Sequence, residues 1–550
     1  MGAHTHMRRS TGRAAGSLLA GIAILLALPA ASHAEAGGQA VAWGANSRVE
    51  LGAGWKDLQE ERPVQVAGLD DVTAVAAGTN FTLALLADGT VRSWGENTWG
   101  ELGDGTHAGL WGTMRTTVQV SGLTGVIAIA AANAHALALL GNGTVMAWGN
   151  NNYGQLGNGK GGMEKLTGEN GTVPKAVPGL TGVIAIAAGG GSNYALLSNH
   201  TVMAWGQNGA GQLGIGEAGP ETCTNELGAQ IHCSTIPRPV VTSTLNASRE
   251  PVLEPLSGVA SISAGEQAAY AVLEDGHVMS WGANDLGQLG TGGEPSHINP
   301  VAQEVEDAET GQPLAGIASV SGGGTGALAL STTGEVLGWG APDQLGGAAR
   351  PESCKKLVCV KTARPVSGLE RTRTTSISAG EGYGLAVSGG RVIAFGKGER
   401  GQLGDGVPAK GSPPAAIGGI GPVDAVAAGT THAIAMLAPG VAPPPPLLSL
   451  EAGVASLTLA WTFDDERYEV QYRPLTHEEA QDCSAAAAEA ETDGCGQTRA
   501  VSRWLNTKLD EGTHALQLPT MGPELYVVII KSIAEHHFVK RRTIVGRSLP

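Results

Sequence analysis

The chain is poor in aromatic side chains, and those present are unusually distributed. Only 4% of the 550 residues are aromatic, and 11 Trp outnumber 7 Tyr and 4 Phe. Charged residues reach only 15% while hydrophobic residues reach 42%, which excludes a disordered polymer of high charge and low hydrophobicity. The 84 Gly and 28 Pro follow no every-third-residue period, which excludes a collagen-like fibre.

Basic side chains are also scarce. The chain has 34 Lys and Arg against 50 Asp and Glu, a formal net charge of −16. Residues 1–34 contain three arginines and no acid, so their removal would take the charge to −19. A surface this negative repels phosphate backbones. We therefore expect no nucleic-acid partner, and a basic patch on another protein is the better candidate.

Long hydrophobic runs are missing after the first thirty residues. The one early run, residues 18–28, follows three arginines and precedes a small-residue stretch that ends at Ala34. This pattern is typical of a secretory signal peptide, and the run is too short to span a bilayer comfortably. We predict that residues 1–34 are a signal peptide cleaved after about Ala34, and that the protein is secreted or cell-surface without an integral membrane anchor. An uncleaved N-terminal anchor is the alternative.

Cysteine is rare, and its six copies fall into three close pairs. Three local disulfides are the simplest pairing in an exported protein, although six cysteines allow 15 pairings. Metal ligation by thiolates is the alternative, but no C-x-x-C motif or histidine cluster accompanies the pairs. We predict no metal site and these disulfides: Cys223 with Cys233, Cys354 with Cys359, and Cys483 with Cys495.

What the chain has in abundance is a Trp-Gly motif in seven copies. The segment at 145–157 reads VMAWGNNNYGQLG, and the segment at 202–214 reads VMAWGQNGAGQLG. The aromatic positions are spaced by 51, 54, 57, 76, 58 and 56 residues. The sixth copy is shortened, and the seventh has Phe395 in place of Trp. Such recurrence indicates a repeat architecture.

A second motif recurs seven times in register with the first, as in VIAIAAANAHALALLGNG at 126–143. Its short apolar runs have the length of strands, and Asp-Gly or Asn-Gly pairs supply tight hairpin turns. One sheet every 50 to 60 residues, stacked on similar neighbours, is typical of a β-propeller. We predict an all-β fold with a seven-bladed propeller over residues 35–440. Its ring should close by a clasp, because the chain starts with a Trp-Gly strand near Val41 and ends the repeat near Leu437.

The W-G-x-N-x-x-G-Q-L-G pattern, with its upstream A-A-G-x-x-H-x-x-A-L-x-x-D-G, resembles the regulator of chromosome condensation repeat family. Residues 148–157 carry the first pattern in full. The resemblance covers about residues 40–440 and implies a seven-bladed propeller. It also implies a guanine-nucleotide exchange and chromatin-binding role for nuclear members, against which the export signal and the negative charge argue here.

Beyond the repeats, the composition changes. Residues 441–447 contain a four-proline run that reads as a linker. Residues 448–550 contain three alternating or apolar runs, with Trp461 in the first and Tyr526 in the last. They resemble a fibronectin type III domain, a small β-sandwich in which those two aromatics would be core or corner residues. Another small β domain is the alternative.

The sequence offers little that points to catalysis. His135 and His432 occupy one repeat position, which favours structural histidines satisfied by the backbone over catalytic or metal-ligating ones. The sequence gives no support for a cofactor site, because the G-x-G-x-x-G match at 396–401 is the seventh copy of the repeat and no helix is predicted to follow it. We expect no enzyme activity, no catalytic residue and no cofactor.

We therefore predict an exported, non-enzymatic propeller that serves as a protein-protein interaction scaffold. Trp99 and Trp111 are tryptophans outside the repeat positions and are candidate interaction residues, with packing beneath a loop as the alternative. Relatives that inhibit secreted β-lactamases suggest a second function, as inhibitor of an exported enzyme. Polysaccharide binding is a third, and nucleotide exchange would follow by family analogy alone. A lyase or glycosidase that uses the central funnel of the ring is a further possibility, but the sequence has no clustered acidic residues to support it.

Overall fold

The computed structural model describes most of the chain from residue 37 onward. The described ranges are 37–53, 58–107, 113–162, 171–217, 219–224, 228–246, 248–346, 352–354, 357–370, 372–409, 411–441, 456–461, 468–474, 505–509, 512–517, 526–532 and 541–545. The predicted signal peptide lies outside these ranges, as do Trp111, Cys483 and Cys495. In the described part of the chain no helix has the length and hydrophobicity needed to cross a lipid bilayer.

Seven antiparallel sheets of four or five strands form the blades of a propeller, as the sequence predicted. The first two strands belong to the blade that closes the ring and are β1 (Ala40–Ala45) and β2 (Gln59–Gln65). Blade 1 contains β3 (Val72–Ala77), β4 (Phe81–Leu86), β5 (Val91–Glu96) and β6 (Thr113–Gln119). Blade 2 contains β7 (Val126–Ala131), β8 (His135–Leu140), β9 (Val145–Gly149) and β10 (Lys175–Ala176).

Blade 3 has a fifth strand and is followed by a separate hairpin. Its strands are β11 (Val183–Gly189), β12 (Ser192–Leu197), β13 (Val202–Gln207), β14 (Glu221–Thr224) and β15 (Gln230–Pro239). The hairpin consists of β16 (Val241–Leu245) and β17 (Pro251–Pro255). Blade 4 contains β18 (Val259–Ala264), β19 (Ala268–Leu273), β20 (Val278–Gly282) and β21 (Gln303–Glu304).

Blade 5 also has five strands, with one short 3-10 helix. It contains β22 (Ile317–Gly322), β23 (Gly326–Ser331), β24 (Val336–Gly340), η1 (Pro342–Leu345), β25 (Glu352–Cys354) and β26 (Leu357–Pro365). Blade 6 contains β27 (Thr374–Ala379), β28 (Tyr383–Ser388), β29 (Arg391–Gly396) and β30 (Ser412–Ala416). Blade 7 contains β31 (Val423–Ala428) and β32 (His432–Leu437), together with β1 and β2.

Blade 7 is the predicted clasp. Its sheet order is β2-β1-β32-β31, so the N-terminal strands supply the outer half and the C-terminal strands of the ring the inner half. Val41 pairs with Ala435 in the centre of this sheet, and the residues from Ala40 to Trp43 are almost completely buried. The ring is therefore closed by strands more than three hundred residues apart in the chain.

The repeated tryptophans lie between blades and explain why the motif recurs. Each of the six tryptophans lies on the third strand of its blade, counted from the axis, and is fully buried. Its indole N–H donates to a backbone carbonyl of the preceding blade at 2.8 or 2.9 Å. The glycine that ends the Leu-Gly pair of the preceding blade packs on each of these six indoles. At Gly103 (φ 64°), a Cβ would lie 2.9 Å from Trp148, so only glycine fits both the turn and the contact.

Phe395 has no N–H to donate, and the neighbouring blade compensates. The Gln344 side chain of blade 5 donates to the carbonyl of Tyr383 in blade 6 at 2.6 Å and accepts from Gly382 N at 3.2 Å. The two degenerate copies of the Trp-Gly motif, the sixth in blade 5 and the seventh in blade 6, are thus still joined by hydrogen bonds.

The C-terminal part forms two sheets, one with two strands and one with four. Their strands are β33 (Ser456–Trp461), β34 (Tyr468–Pro474), β35 (Leu505–Leu509), β36 (Gly512–Gln517), β37 (Tyr526–Ser532) and β38 (Arg541–Val545). The three runs identified in the sequence fall on β33, β34 and β37. The fibronectin type III-like sandwich and the linker at 441–447 stay predictions.

Candidate functional site

The two faces of the propeller are built differently. On one face, here called the loop face, the turns between first and second strands meet the long loops that follow each Trp-Gly pair. The opposite turn face carries short hairpins such as Asp88-Gly89, in which Asp88 accepts from Thr90 N at 2.9 Å. On the loop face, the loops after the third strands differ in length, from residues 46–58 in blade 7 to residues 150–174 in blade 2, and binding sites in such scaffolds lie on loops.

The polar residues that recur in these loops hold the loops in shape. In blade 1, Asn97 accepts from the Leu102 amide at 3.2 Å, and Asn151 accepts from Leu156 in blade 2 at 2.9 Å. Gln155 accepts from the Tyr153 amide at 2.7 Å and donates to Asn150. These side chains satisfy backbone groups that the loop would otherwise bury unpaired. The Asn and Gln of the motif therefore have structural roles.

Two loops have glutamate where the others have glutamine. Glu50 in blade 7 and Glu101 in blade 1 accept the same backbone hydrogen bond, from Arg48 at 2.6 Å and Trp99 at 2.7 Å. Both side chains are buried, and burial raises the pKa of Glu50 to about 7 and that of Glu101 to about 8, with nearby Glu96 adding to the rise. Near neutral pH these two carboxyls thus bind protons that a solvated glutamate would release.

The two repeat-position histidines are structural, but their imidazole nitrogens bond to side chains of the next blade, and not to backbone groups as the sequence suggested. His432 Nε2 lies 2.9 Å from Thr82 Oγ1, which donates to the carbonyl of Glu50 at 2.8 Å. Since Thr82 uses its proton there, His432 must donate from Nε2. His135 Nε2 likewise lies 2.8 Å from the amide oxygen of Asn193. Burial lowers the pKa of both imidazoles to about 4.

Two of the predicted cysteine pairs come within disulfide distance. Cys223 and Cys233 lie on the paired strands β14 and β15 with Cα atoms 5.9 Å apart. Cys354 and Cys359 lie on β25 and β26 with Cα atoms 5.8 Å apart. Each pair braces a hairpin that gives blade 3 or blade 5 its extra strand. The third pair lies outside the described residues.

Of the two candidate interaction tryptophans, the structure describes Trp99. Its side chain is partly exposed and lines a narrow cleft on the loop face with residues 149–152 and 160–162 of blade 2. Trp99 thus bridges the loops of two neighbouring blades, which is compatible with either packing or binding. Trp111 lies outside the described residues.

A funnel opens at the centre of the loop face, and sequence reasoning did not identify the residues that line it. It has a volume of about 300 Å³ and is lined by three consecutive residues from the inner hairpin of every blade. These are residues 77–79, 131–133, 188–190, 264–266, 322–324, 379–381 and 428–430. The signal available in the sequence was the position after the small-residue triplet (A-A-G, A-A-A, S-A-G or S-G-G) at the end of each first strand, which holds two glutamates among seven copies.

The funnel has small walls and a polar rim. Alanine and glycine occupy the first two positions of every triplet, and the third position supplies the rim. Thr430, Thr79 and Asn133 form one arc, in which hydroxyls link Thr430 to Thr79 at 3.2 Å and Thr79 to Asn133 at 3.1 Å. Glu266 and Glu381 stand on the other arc. Within the described ranges, no three His, Cys, Asp or Glu side chains are grouped so as to hold a metal ion.

These features define a seven-bladed β-propeller built from regulator of chromosome condensation (RCC1) repeats. Matches to that repeat cover residues 38–85, 142–196 and 389–436. A second form of the repeat matches residues 72–100, 126–155, 183–212 and 259–288. The matched segments fall in blades 1 to 4, 6 and 7.

Curated relatives share the repeat region. The chain is 29% identical over 401 residues to the ultraviolet-B receptor UVR8 of Arabidopsis thaliana, covering 70% of this chain and 79% of the receptor. It is 28% identical over 417 residues to the E3 ubiquitin-protein ligase HERC2 of Homo sapiens, covering 73% of this chain. The match spans only 8% of the length of that ligase.

Solved structures show the same fold. Human WBSCR16 superimposes with a TM-score of 0.59 at 21% identity, covering 74% of this chain and all of that chain. Prp20p of Saccharomyces cerevisiae, studied for binding to Gsp1p and histones, gives a TM-score of 0.57 at 21% identity over 73% of this chain and 91% of its own. These similar proteins include binders of other proteins.

Proposed function

We propose that this protein is an exported, non-enzymatic scaffold that binds another protein through the loop face of its propeller. The observation that supports this most is the contrast within each blade, since strand cores repeat while loop-face elements differ. Blades 3 and 5 extend their outer edges there with hairpins, each holding a cysteine pair within disulfide distance. A rigid ring that presents non-identical loops is well suited to recognition.

The hairpin of blade 5 offers the apolar contact area that an interface core needs. Leu357 and Val358 on β26 are 55% and 54% exposed beside the Cys354–Cys359 pair. A rigid loop with exposed aliphatic side chains loses little conformational entropy on binding. By contrast, the free edge of β17 carries Pro251 and Pro255, which cannot donate ladder hydrogen bonds and so protect that edge from pairing.

The test is affinity capture from the culture medium of the source organism, followed by reconstitution with the captured protein after purification. The loop-face variant Leu357→Ser/Val358→Ser is compared with Leu245→Ser/Leu253→Ser on the β16–β17 hairpin, where both side chains are also exposed. We expect binding to fall about tenfold or more for the first variant and little for the second. A purified partner that binds both variants like wild type would exclude this hairpin, and failure to reconstitute any protein partner would overturn the scaffold proposal.

The same experiment separates the other candidate functions. An exported enzyme whose turnover falls on binding would favour an inhibitor. Retention on insoluble polysaccharide without any protein would favour a carbohydrate-binding role. The export step itself is tested by N-terminal sequencing of secreted protein, for which we expect a start at or near Glu35.

A further inference from the structure

The funnel at the centre of the loop face has the shape of a receptor for one extended side chain. Its walls consist of alanine and glycine, which leave the backbone of seven inner hairpins close to the axis. Its volume of about 300 Å³ is at the lower end of ordinary ligand pockets. A long, thin guest fits such a cavity better than a bulky ring system.

The charges around the rim define the chemistry of that guest. Glu266 and Glu381 stand on blades 4 and 6, and Gly324 of blade 5 lies between them. A Cβ on Gly324 would lie 2.9 Å from Cγ of Glu381, so the absent side chain leaves room for Glu381 to lean across blade 5. Partial burial raises the pKa of Glu266, and the charge of Glu381 raises it further. The two carboxylates therefore repel each other electrostatically across the mouth of the funnel.

The remaining rim adds acceptors and no competing cation. Thr430, Thr79 and Asn133 contribute hydroxyl and amide groups on the opposite arc. In the described structure no lysine, arginine or histidine lines the funnel. An anionic guest would meet two like charges, while a cationic guest would relieve the repulsion between them.

We propose that the funnel binds a cationic side chain, arginine or lysine, presented by an extended segment of a partner protein. This inference rests on the proposed scaffold function and names the face and the chemistry by which the partner is recognised. The aliphatic stem passes between the alanine and glycine walls, and the charged head lies between Glu266 and Glu381. Arginine should bind more tightly than lysine, because its planar fork has several donors that can reach separated acceptors.

The test uses the full-length mature protein and a fluorescein-labelled Gly-Ser-Arg-Ser-Gly peptide, with matching peptides that contain lysine or neutral citrulline. Fluorescence anisotropy measures affinity at low ionic strength. We expect the order arginine, lysine, citrulline, and a loss of about tenfold or more for arginine binding in Glu266→Gln/Glu381→Gln. The matched control is Glu254→Gln/Glu309→Gln, which removes the same charge from exposed sites that do not line the funnel.

Equal weakening by both double variants would show a net-charge effect and overturn the proposal, as would equal binding of arginine and citrulline or no saturable binding. The partner purified in the capture experiment separates this inference from the scaffold function. If that partner binds the funnel variant like wild type, the funnel proposal fails and the scaffold stands. If no protein partner binds wild type at all, the scaffold proposal fails.

Discussion

The two sides of the ring use different chemistry for the same task of joining neighbouring blades. On the clasp side, around blades 7, 1 and 2, the interfaces contain Glu50, Glu101 and the two buried histidines. On the far side, around blades 3 to 6, they contain tyrosines and serines. Tyr194 meets Trp281 edge-on at 6.0 Å, and Tyr270 meets Trp339 at 5.9 Å.

The serines of the far side bridge consecutive inner strands. Ser263, Ser321 and Ser378 each accept a hydrogen bond from an amide of the next blade, at 2.9 or 3.0 Å. Blades 1, 2, 3 and 7 have alanine at this position. The difference teaches that the repeat specifies geometry, while each interface uses its own polar contacts, some of which titrate near neutral pH and some of which do not.

The largest expected effect comes from opening the ring at the clasp. Deletion of residues 35–56 removes β1, which lies between β32 and β2 in blade 7. We expect the melting temperature of the ring to fall by more than about ten degrees, because the buried strand and Trp43 are lost together. Differential scanning calorimetry measures this. An unchanged transition would show that the clasp does not stabilise the ring.

Loss of one repeated indole on the far side should have the next largest effect. Trp281→Ala removes a fully buried ring, its edge contact with Tyr194 and its bond to the carbonyl of Gln212. We expect a loss of roughly 3–5 kcal/mol in the free energy of unfolding, measured by urea denaturation. Trp281→Phe, which keeps a smaller aromatic ring but loses the N–H, should cost only about 1–2 kcal/mol. Equal losses for both variants would show that the hydrogen bond dominates.

Replacing Glu101 on the clasp side by glutamine, the residue that most other repeats have at this position, should stabilise the protein in a pH-dependent manner. The folded pKa of Glu101 is about 8, above its ordinary value of 4.5, so deprotonation favours unfolding as pH rises between these values. Glu101→Gln should therefore gain stability over wild type by up to about 1.4 kcal/mol per pH unit between pH 6.5 and 8, with no further gain above.

The measurement is the urea midpoint of both proteins across that interval, in which the two buried histidines stay neutral. Gln288→Glu, at the equivalent loop position on the far side, is the reverse substitution and should introduce the same pH dependence. A constant difference between Glu101→Gln and wild type at every pH would contradict a buried, protonated carboxyl.

The smallest expected effects come from the serine bridges. Ser321→Ala should cost about 1 kcal/mol because the amide of Ala379 loses its acceptor. Ala130→Ser, at the matching position of blade 2, should gain about 0.5 kcal/mol if the new hydroxyl reaches the amide of Ala188. Urea denaturation tests both. A loss from the second substitution would show that the clasp side has no room for a serine bridge.

The two motifs that each recur seven times in the sequence made the seven-bladed ring predictable. Trp148 and its equivalents indicated one buried aromatic per blade, and the end positions Val41 and Leu437 indicated the clasp. The sequence showed that some repeats contain insertions. It did not show that the insertions in blades 3 and 5 form extra strands, because hairpin pairing depends on local register. The two glutamates on the rim of the funnel were not predicted, because Glu266 and Glu381 are 115 positions apart in the sequence and come together only through ring closure.

The clasp also makes closure of the ring depend on the last strands of the repeat region. Ala40–Ala45 is made almost four hundred residues before His432–Leu437, the strand that completes its inner edge. Until then one edge of this apolar strand is unpaired, and such an edge can be cleaved by proteases or can pair with another chain and aggregate. A chain broken off before His432 leaves that edge unpaired, so the state of one short strand distinguishes a truncated ring from a closed one.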